Sequence, residues 1–160
     1  KISEAFEDTL KLIDSQFRNN NIEIIKDINE VELFGSKNEL LQTLINLLKN
    51  AKEALIINTN LEKKYIFISA YKENDELVIK IKDNANGIPN NLINNIFDPY
   101  FTTKEKTGGT GIGLYMCKQI IEGNMKGKIQ VSNVEYSYEN ETFHGAEFLI
   151  RFSLNLKNII

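Results

Sequence analysis

Apolar residues recur at helical spacing in three stretches of the chain, at residues 2–17, 36–55 and 111–122. The first stretch carries an apolar stripe formed by Ala5, Phe6, Leu10, Ile13 and Phe17. In the third stretch, the residues at helical spacing are Ile112, Tyr115, Met116, Gln119 and Ile120. A shorter helix is expected from Pro89 to Ile96, because proline suits the first turn of a helix.

Strict alternation of apolar and polar residues predicts the sheet. Two alternating runs, residues 65–72 and 77–82, are joined by a polar turn and predict an antiparallel hairpin. Other strands are expected at residues 22–28, 128–133 and 146–154, with a short strand or turn at 31–34 and a long polar excursion over 135–144. This order of elements predicts an α+β fold, a two-layer sandwich in which helices cover one face of a mixed, mostly antiparallel sheet.

The second predicted helix has an unusual polar side. Its start is marked by a capping box of Ser36 and Glu39, and its apolar side is formed by Leu41, Leu44, Leu48, Ala51 and Leu55. On the opposite side lie Asn46, Asn50 and Glu53, although Asn is a poor residue for the middle of a helix. Stacked amide oxygens suit a Mg²⁺ ion that keeps water ligands and shares substrate phosphates. The alternative is a solvated face with incidental Asn residues in an Asn-rich chain.

A buried strand is expected to end at Asp83, the first residue of the sequence Asp-Asn-Ala-Asn-Gly over residues 83–87. A carboxylate at that place is costly unless it meets a hydrogen-bond donor. The amino group of adenine is such a donor, whereas guanine presents a carbonyl there, and Gly87 lets the backbone pass close to a base. The alternative is a plain turn, which the same residue types also favour.

The two segments that follow have little periodicity of their own. Residues 97–104 hold three aromatic rings and end at Lys104, which indicates a flap pinned by its rings and a lysine that reaches phosphates. The alternative for this segment is a surface loop with an aromatic anchor. Residues 108–113 are rich in glycine and lead into a helix, where backbone N–H groups can approach an anion. The spacings of a dinucleotide fold and of a Walker motif are both missing from this glycine-rich stretch.

Length and composition fit one globular domain. The chain has 160 residues, of which 42% are hydrophobic and 26% are charged, and its formal net charge of −3 argues against a general nucleic-acid binder. No apolar run is long enough to cross a membrane and the first residues lack the charged-then-apolar pattern of a leader, so we expect neither a membrane span nor a signal peptide in the sequence as given. The single cysteine, Cys117, fits a buried core residue in a reducing cytoplasm. We therefore expect a cytoplasmic domain, cut from a longer protein because it begins at Lys1 rather than Met.

Four stretches, taken together and in order, resemble the nucleotide-binding boxes of the catalytic ATP-binding domain of sensor histidine kinases. Residues 42–54 are similar to the Asn box, 83–87 to the first glycine box, 97–104 to the phenylalanine box and 109–114 to the second glycine box. The resemblance implies the Bergerat-type ATP-binding fold, which that family shares with gyrase, the heat-shock chaperone ATPase and mismatch-repair ATPases. The sequence departs from the family pattern at Ala85, where glycine is usual.

The resemblance implies ATP and Mg²⁺ as cofactors and assigns roles to individual residues. Asn50, with Asn46 beside it, would hold Mg²⁺ on the phosphates, with Asn50 as the metal ligand, and Lys104 would contact the phosphates. These three are the expected catalytic residues, and Asp83 would accept a hydrogen bond from adenine. The residues expected to bind the nucleotide are Asn50, Glu53, Asp83, Gly87, Ile88, Phe97, Thr103, Lys104, Gly109, Thr110, Gly111, Ile112, Gly113 and Leu114. Hydrolytic relatives carry a general-base Glu where this chain has Asn46, which favours phosphoryl transfer over hydrolysis.

The phosphoacceptor expected of a histidine kinase is missing from the sequence. The only histidine, His144, is expected to be an exposed loop residue and not the acceptor. The resemblance implies that residues 1–18 end a preceding dimerisation and phosphotransfer helix, that residues 19–160 form the catalytic domain, and that a response regulator is the downstream partner. An autonomous ATPase, a serine kinase acting on an anti-sigma partner, and a nucleotide-responsive interaction module remain as alternatives. We expect that residues 1–160 contact neither nucleic acid nor a membrane.

Overall fold

A computed structural model of the chain describes residues 1–58, 60–101 and 112–154. The three long predicted helices form within these ranges: α1 covers Ile2–Asn19, α2 covers Lys37–Ile57 and α3 covers Gly113–Lys118. Helix α3 continues into a turn of π-helix at Gln119–Asn124. Its buried residues are Cys117, Ile120 and Ile121, whereas Met116 and Gln119 of the predicted face are exposed. The face is rotated because α3 packs on α2 through Cys117, whose thiol donates to the Thr43 carbonyl at 3.7 Å.

The described residues form one five-stranded sheet. The strands are β1 at Ile22–Ile28, β2 at Lys64–Glu73, β3 at Glu76–Asp83, β4 at Lys128–Tyr138 and β5 at Glu141–Ser153. Their spatial order is β1-β2-β3-β5-β4, with β1 parallel to β2 and every other pair antiparallel. The predicted hairpin is β2–β3, and its turn residues Asn74 and Asp75 have φ of 50° and 62°, as a tight two-residue turn requires. A mixed, mostly antiparallel sheet is therefore confirmed.

Three predicted elements differ in the structure. Residues 31–34 form no strand, and Pro89 opens no helix but only turns that lead to a 3₁₀ turn at Ile93–Asn95. The Asn residues that follow Pro89 explain the second difference, because their side chains compete for the backbone groups that a helix needs. The polar excursion over 135–144 is instead the continuation of β4 and β5, joined at Glu139 and Asn140, whose φ values are 49° and 66°.

The helices cover one face of the sheet and share one core with it. Alternate residues of β3, namely Leu77, Ile79 and Ile81, belong to the same buried cluster as Leu44 and Leu48 of α2. The two-layer sandwich predicted from the sequence is thus confirmed. None of the helices in the described ranges is long and apolar enough to cross a bilayer.

Helix α1 packs into the same core as the rest of the chain. Phe6 and Phe17 are each only 1% exposed and lie in the cluster that includes α2 and the sheet. The backbone N–H of Ile2 donates to the Val31 carbonyl at 2.8 Å, which ties the start of α1 to the segment before α2. We conclude that α1 is an integral part of the described fold. That residues 1–18 also end a dimerisation helix stays a prediction.

Candidate functional site

Asp83 is the last residue of β3 and is 4% exposed. It shares the helix-facing side of that strand with Leu77, Ile79 and Ile81, because side chains alternate along a strand. Asp83 pairs with Ile66 near the start of β2, and only six residues separate the end of α2 at Ile57 from the start of β2 at Lys64. The C-terminal part of α2, which carries Asn50 and Glu53, therefore lies toward the same end of the sheet as Asp83.

The Asp83 carboxylate is held by backbone donors. Its Oδ1 accepts the N–H of Ala85 at 3.0 Å and the N–H of Ala146 at 3.2 Å. Burial raises the pKa of Asp83, and the two N–H donors oppose that rise. The bond from Ala85 is the turn chemistry that the alternative interpretation predicted. Oδ2 takes part in neither of these bonds, so the turn leaves one carboxylate oxygen for another donor.

Side-chain amides fix the loop after Asp83. Asn84 accepts the N–H of Tyr65 and donates to the Lys63 carbonyl, both at 2.8 Å. Asn133 accepts the N–H of Ile88 at 2.8 Å and donates to the Ile88 carbonyl at 2.7 Å. The loop is thus tied to β2 at its start and to β4 at its end.

The predicted need for glycine at residue 87 agrees with the backbone. Gly87 has φ of 83°, and a Cβ there would lie 2.6 Å from Oδ1 of Asn133. Asn86, with φ of 70°, also adopts the left-handed conformation, whereas Ala85 does not. The replacement of the usual glycine by Ala85 therefore imposes no strain on the turn.

Sequence reasoning missed three residues that support Asp83 or the loop that follows it. Gly145 of β5 faces it so closely that a Cβ would lie 1.7 Å from the Asp83 carbonyl oxygen. The Tyr136 hydroxyl donates to the same carbonyl at 2.7 Å, and Asn133 clamps Ile88. An isolated glycine in a strand often marks a close backbone approach, but Gly145 lay just before the strand predicted at 146–154, so this signal became readable only with the longer β5.

On α2, the predicted capping box is present in part, since Ser36 accepts the N–H of Glu39 at 3.2 Å. The apolar stripe is shifted from the prediction: Leu40 and Leu47 are buried, whereas Leu41 is only half-buried. Asn46 and Asn50 are half-buried beside that stripe. They are therefore neither core residues nor part of a fully solvated face.

Asn46 lies close to α3, where its side chain opposes the rise in the pKa of the Cys117 thiol. Burial nevertheless raises the pKa of Cys117 to about 12, so the thiol is inert, as predicted for a core residue. Within the described residues, no group of three or more His, Cys, Asp or Glu side chains could hold a metal ion. A Mg²⁺ ion held by Asn50 would be bound through a carboxamide oxygen, together with water and oxygens of the ligand, which fits the hard-oxygen preference of this ion.

The aromatic segment that begins at Phe97 is described only to Phe101. The Phe97 ring meets the Phe148 ring edge-on at 6.1 Å, the Lys118 ammonium lies 5.6 Å from the Phe97 centroid, and Phe101 also packs on the core. Phe97 and Phe101 therefore anchor the segment to the core. Tyr100 is 75% exposed, so the prediction that its ring also anchors the segment was wrong.

The glycine-rich stretch is described only from Ile112 onward. Gly113 starts α3, and a Cβ there would meet nothing within 4 Å, so no steric need for glycine is visible at this position. Leu114 is half-buried and packs against the core. The predicted site residues that lie outside the described ranges are Thr103, Lys104, Gly109, Thr110 and Gly111.

His144 lies in β5 and not in a loop, because β4 and β5 continue through the predicted excursion. Its side chain is 58% exposed, as predicted, and its Nε2 lies 3.1 Å from Oε2 of Glu135 on the facing strand.

The comparisons of this chain with a family model and with known proteins agree with one another. A family model described as histidine kinase-, DNA gyrase B- and HSP90-like ATPase matches residues 35–157. The two-component sensor PprA of Pseudomonas aeruginosa is 32% identical over 154 residues, which cover 94% of this chain and 16% of PprA. The chain thus spans less than a fifth of that relative.

Solved structures of similar fold include histidine kinases. The catalytic domain of histidine kinase ThkA superposes with a TM-score of 0.77 at 28% identity, covering 95% of this chain and 93% of that domain. ThkA in complex with the response regulator protein TrrA matches with a TM-score of 0.73 at 25% identity, covering 99% of this chain and 42% of the ThkA chain.

Proposed function

Because the chain belongs to the family of histidine kinase-, DNA gyrase B- and HSP90-like ATPases, we propose that it is the ATP-binding catalytic domain of a sensor histidine kinase. The observation that carries the proposal is Asp83, a buried carboxylate at a strand end with Oδ2 outside its two backbone hydrogen bonds. Such a group recognises the amino group of adenine and rejects guanine, which presents a carbonyl at that place.

We propose that the remaining predicted residues act on the phosphates. Asn50, with Asn46 beside it, supplies carboxamide oxygen toward Mg²⁺, and the ion neutralises phosphate charge when bound. Lys104 and the glycines of residues 109–113 meet the phosphates. Because Asn46 offers no carboxylate to activate water, the γ-phosphoryl is kept for another acceptor.

We propose a histidine on a separate helical domain of the same protein as that acceptor, with a response regulator as the next partner. The ThkA complex with TrrA supports the second partner, since it is a kinase of similar catalytic fold bound to a response regulator. The proposal places the site in the cytoplasm, where ATP and Mg²⁺ are available and the buried thiol of Cys117 stays reduced.

The experiment supplies the chain with [γ-³²P]ATP and a separate helical hairpin that bears a histidine followed by an acidic residue. We expect the chain to bind ATP, to remain unlabelled alone, and to label the hairpin with acid-labile phosphate. A hairpin with His→Gln is the matched control and should stay unlabelled.

Other outcomes separate the alternatives. Strong self-labelling of the chain would contradict the missing-acceptor argument. Steady ATP turnover without a histidine domain would favour an autonomous ATPase or a serine kinase. Tight ATP binding with no transfer to any histidine hairpin would favour a nucleotide-responsive interaction module.

A further inference from the structure

The β4–β5 hairpin reaches past the end of β3 and covers the loop that begins at Asp83. The ladder between β3 and β5 stops at the pair Lys82–Glu147, one residue before Asp83. Strands β4 and β5 remain paired well beyond that point, as far as Tyr138 and Glu141. The outer part of the hairpin therefore has no β3 partner and is free to contact the loop.

Aromatic rings fold the hairpin onto β2. Tyr136 and Tyr138 meet the Phe67 ring edge-on, with centroids 5.4 and 5.0 Å apart, and Tyr138 and Phe143 meet the Tyr65 ring at 5.2 and 5.6 Å. The Lys82 ammonium lies 3.9 Å from the centroid of the Tyr136 ring. Edge-to-face and cation–π contacts depend on ring orientation, so together they fix the direction of the Tyr136 hydroxyl.

That direction is toward Asp83. The hydroxyl donates to the Asp83 main-chain carbonyl at 2.7 Å, just where the ladder has ended and no strand partner follows. Burial raises the pKa of Tyr136, and the nearby Asp83 carboxylate adds to the rise, so the hydroxyl stays a proton donor at every physiological pH. Tyr136 thus replaces a ladder hydrogen bond at Asp83, the last residue of β3 before the loop.

We propose that Tyr136 is a positioning residue for adenine recognition, which holds the Asp83 peptide so that its carboxylate is aimed at the base. The inference rests on the proposed function, because Asp83 meets adenine only if the site binds ATP. Asn133 and the His144 carbonyl hold the loop further along, at Ile88 and Asn86. Tyr136 is the hairpin side chain that acts on Asp83 itself.

The test compares Tyr136→Phe with Tyr138→Phe. Both substitutions remove one hydroxyl from the same aromatic cluster, but the Tyr138 hydroxyl lies near Glu139 and not near Asp83. We expect Y136F to bind ATP about three- to tenfold more weakly by calorimetry, the effect of one hydrogen bond. Its preference for ATP over GTP should also fall, while Y138F keeps both wild-type values.

Amide hydrogen exchange of residues 84–88, measured without nucleotide, gives a second readout. We expect faster exchange in Y136F and wild-type exchange in Y138F, with thermal unfolding showing that both variants are folded. Unchanged ATP affinity and ATP/GTP preference in Y136F would overturn the inference and leave the proposed function intact. Equal losses in both variants would show a general packing role and would overturn it as well. Wild-type protein that binds no ATP would overturn the proposed function, and the inference would fall with it.

Discussion

At the scale of single residues, Asp83 is a buried carboxylate with two backbone donors on one oxygen. Asparagine at this position keeps an acceptor for both donors but places an NH₂ group where Oδ2 stood. In the proposed complex that group meets the adenine amino group donor to donor. We therefore expect Asp83→Asn to weaken ATP binding by about 1.5–3 kcal/mol, the range for a hydrogen bond to a charged group, as measured by isothermal titration calorimetry.

The matched control for this variant is Asp75→Asn. Asp75 lies in the turn before β3, at the far end of that strand, and its φ of 62° suits asparagine. The control should bind ATP with wild-type affinity. If D83N also binds ATP with wild-type affinity, Asp83 is not part of the base site.

The difference in stability between Asp83→Asn and wild type should depend on pH in a defined direction. Burial raises the pKa of Asp83 above its ordinary value of 3.8, so the folded protein keeps the proton to higher pH than the unfolded chain does. Below both pKa values Asp83 imposes no penalty; as pH rises through the raised pKa, wild type loses stability. We expect D83N to be at least as stable as wild type at pH 7, and its advantage to shrink on acidification, in urea unfolding at a series of pH values.

At the scale of elements, α2 carries the predicted metal-binding side chains on its half-buried flank. Asn50→Ala removes the carboxamide oxygen that we propose for Mg²⁺. The ratio of ATP affinities measured with Mg²⁺ and with EDTA should therefore fall by about tenfold, equivalent to about 1.4 kcal/mol. Lys49→Ala, at the exposed neighbouring position, is the control and should keep the wild-type ratio. A collapse of thermal stability in N50A without ligand would instead show that Asn50 is structural.

Elements were predictable where their signals are local. Ser36 and Glu39 marked the start of α2, and Asn74 and Asp75 marked the β2–β3 turn, because caps and turns depend on neighbouring residues. The outer part of the β4–β5 hairpin was not predicted, because its many polar residues do not show the alternation of apolar and polar residues that is typical of a strand. The rings that support it belong to β2, far away in the chain.

The residues of the candidate site were likewise predictable only where their signals are local. Residue type and position indicated Asp83 and Gly87, because a carboxylate at a strand end and a glycine in a turn have recognisable local chemistry. Tyr136 and Asn133 could not be found in this way, since neither side chain has a role until β4 lies beside the loop. The closeness of the Asn46 side chain to Cys117 likewise depends on how α3 packs on α2.

At the scale of the whole molecule, α1 shares one hydrophobic core with α2 and the sheet. If α1 is an integral layer of the catalytic fold, Phe6→Ala should lower the free energy of unfolding by about 3–5 kcal/mol, the usual cost of removing a buried ring. Leu12→Ala, on the same helix at a side chain that is 61% exposed, is the control and should change it by less than about 0.5 kcal/mol.

The shape of the unfolding transition shows whether residues 1–18 belong to the catalytic fold or only to a preceding domain. A shared core predicts one cooperative transition that moves to lower denaturant in F6A, with circular dichroism and intrinsic fluorescence changing together. A helix that belongs only to a preceding domain predicts little loss in F6A, or a separate early transition of helical signal. ATP affinity under native conditions should stay near the wild-type value in F6A, because Phe6 lies in the core and not among the residues proposed to meet the nucleotide. Such a result would place the start of the catalytic fold at the beginning of α1 rather than after residue 18.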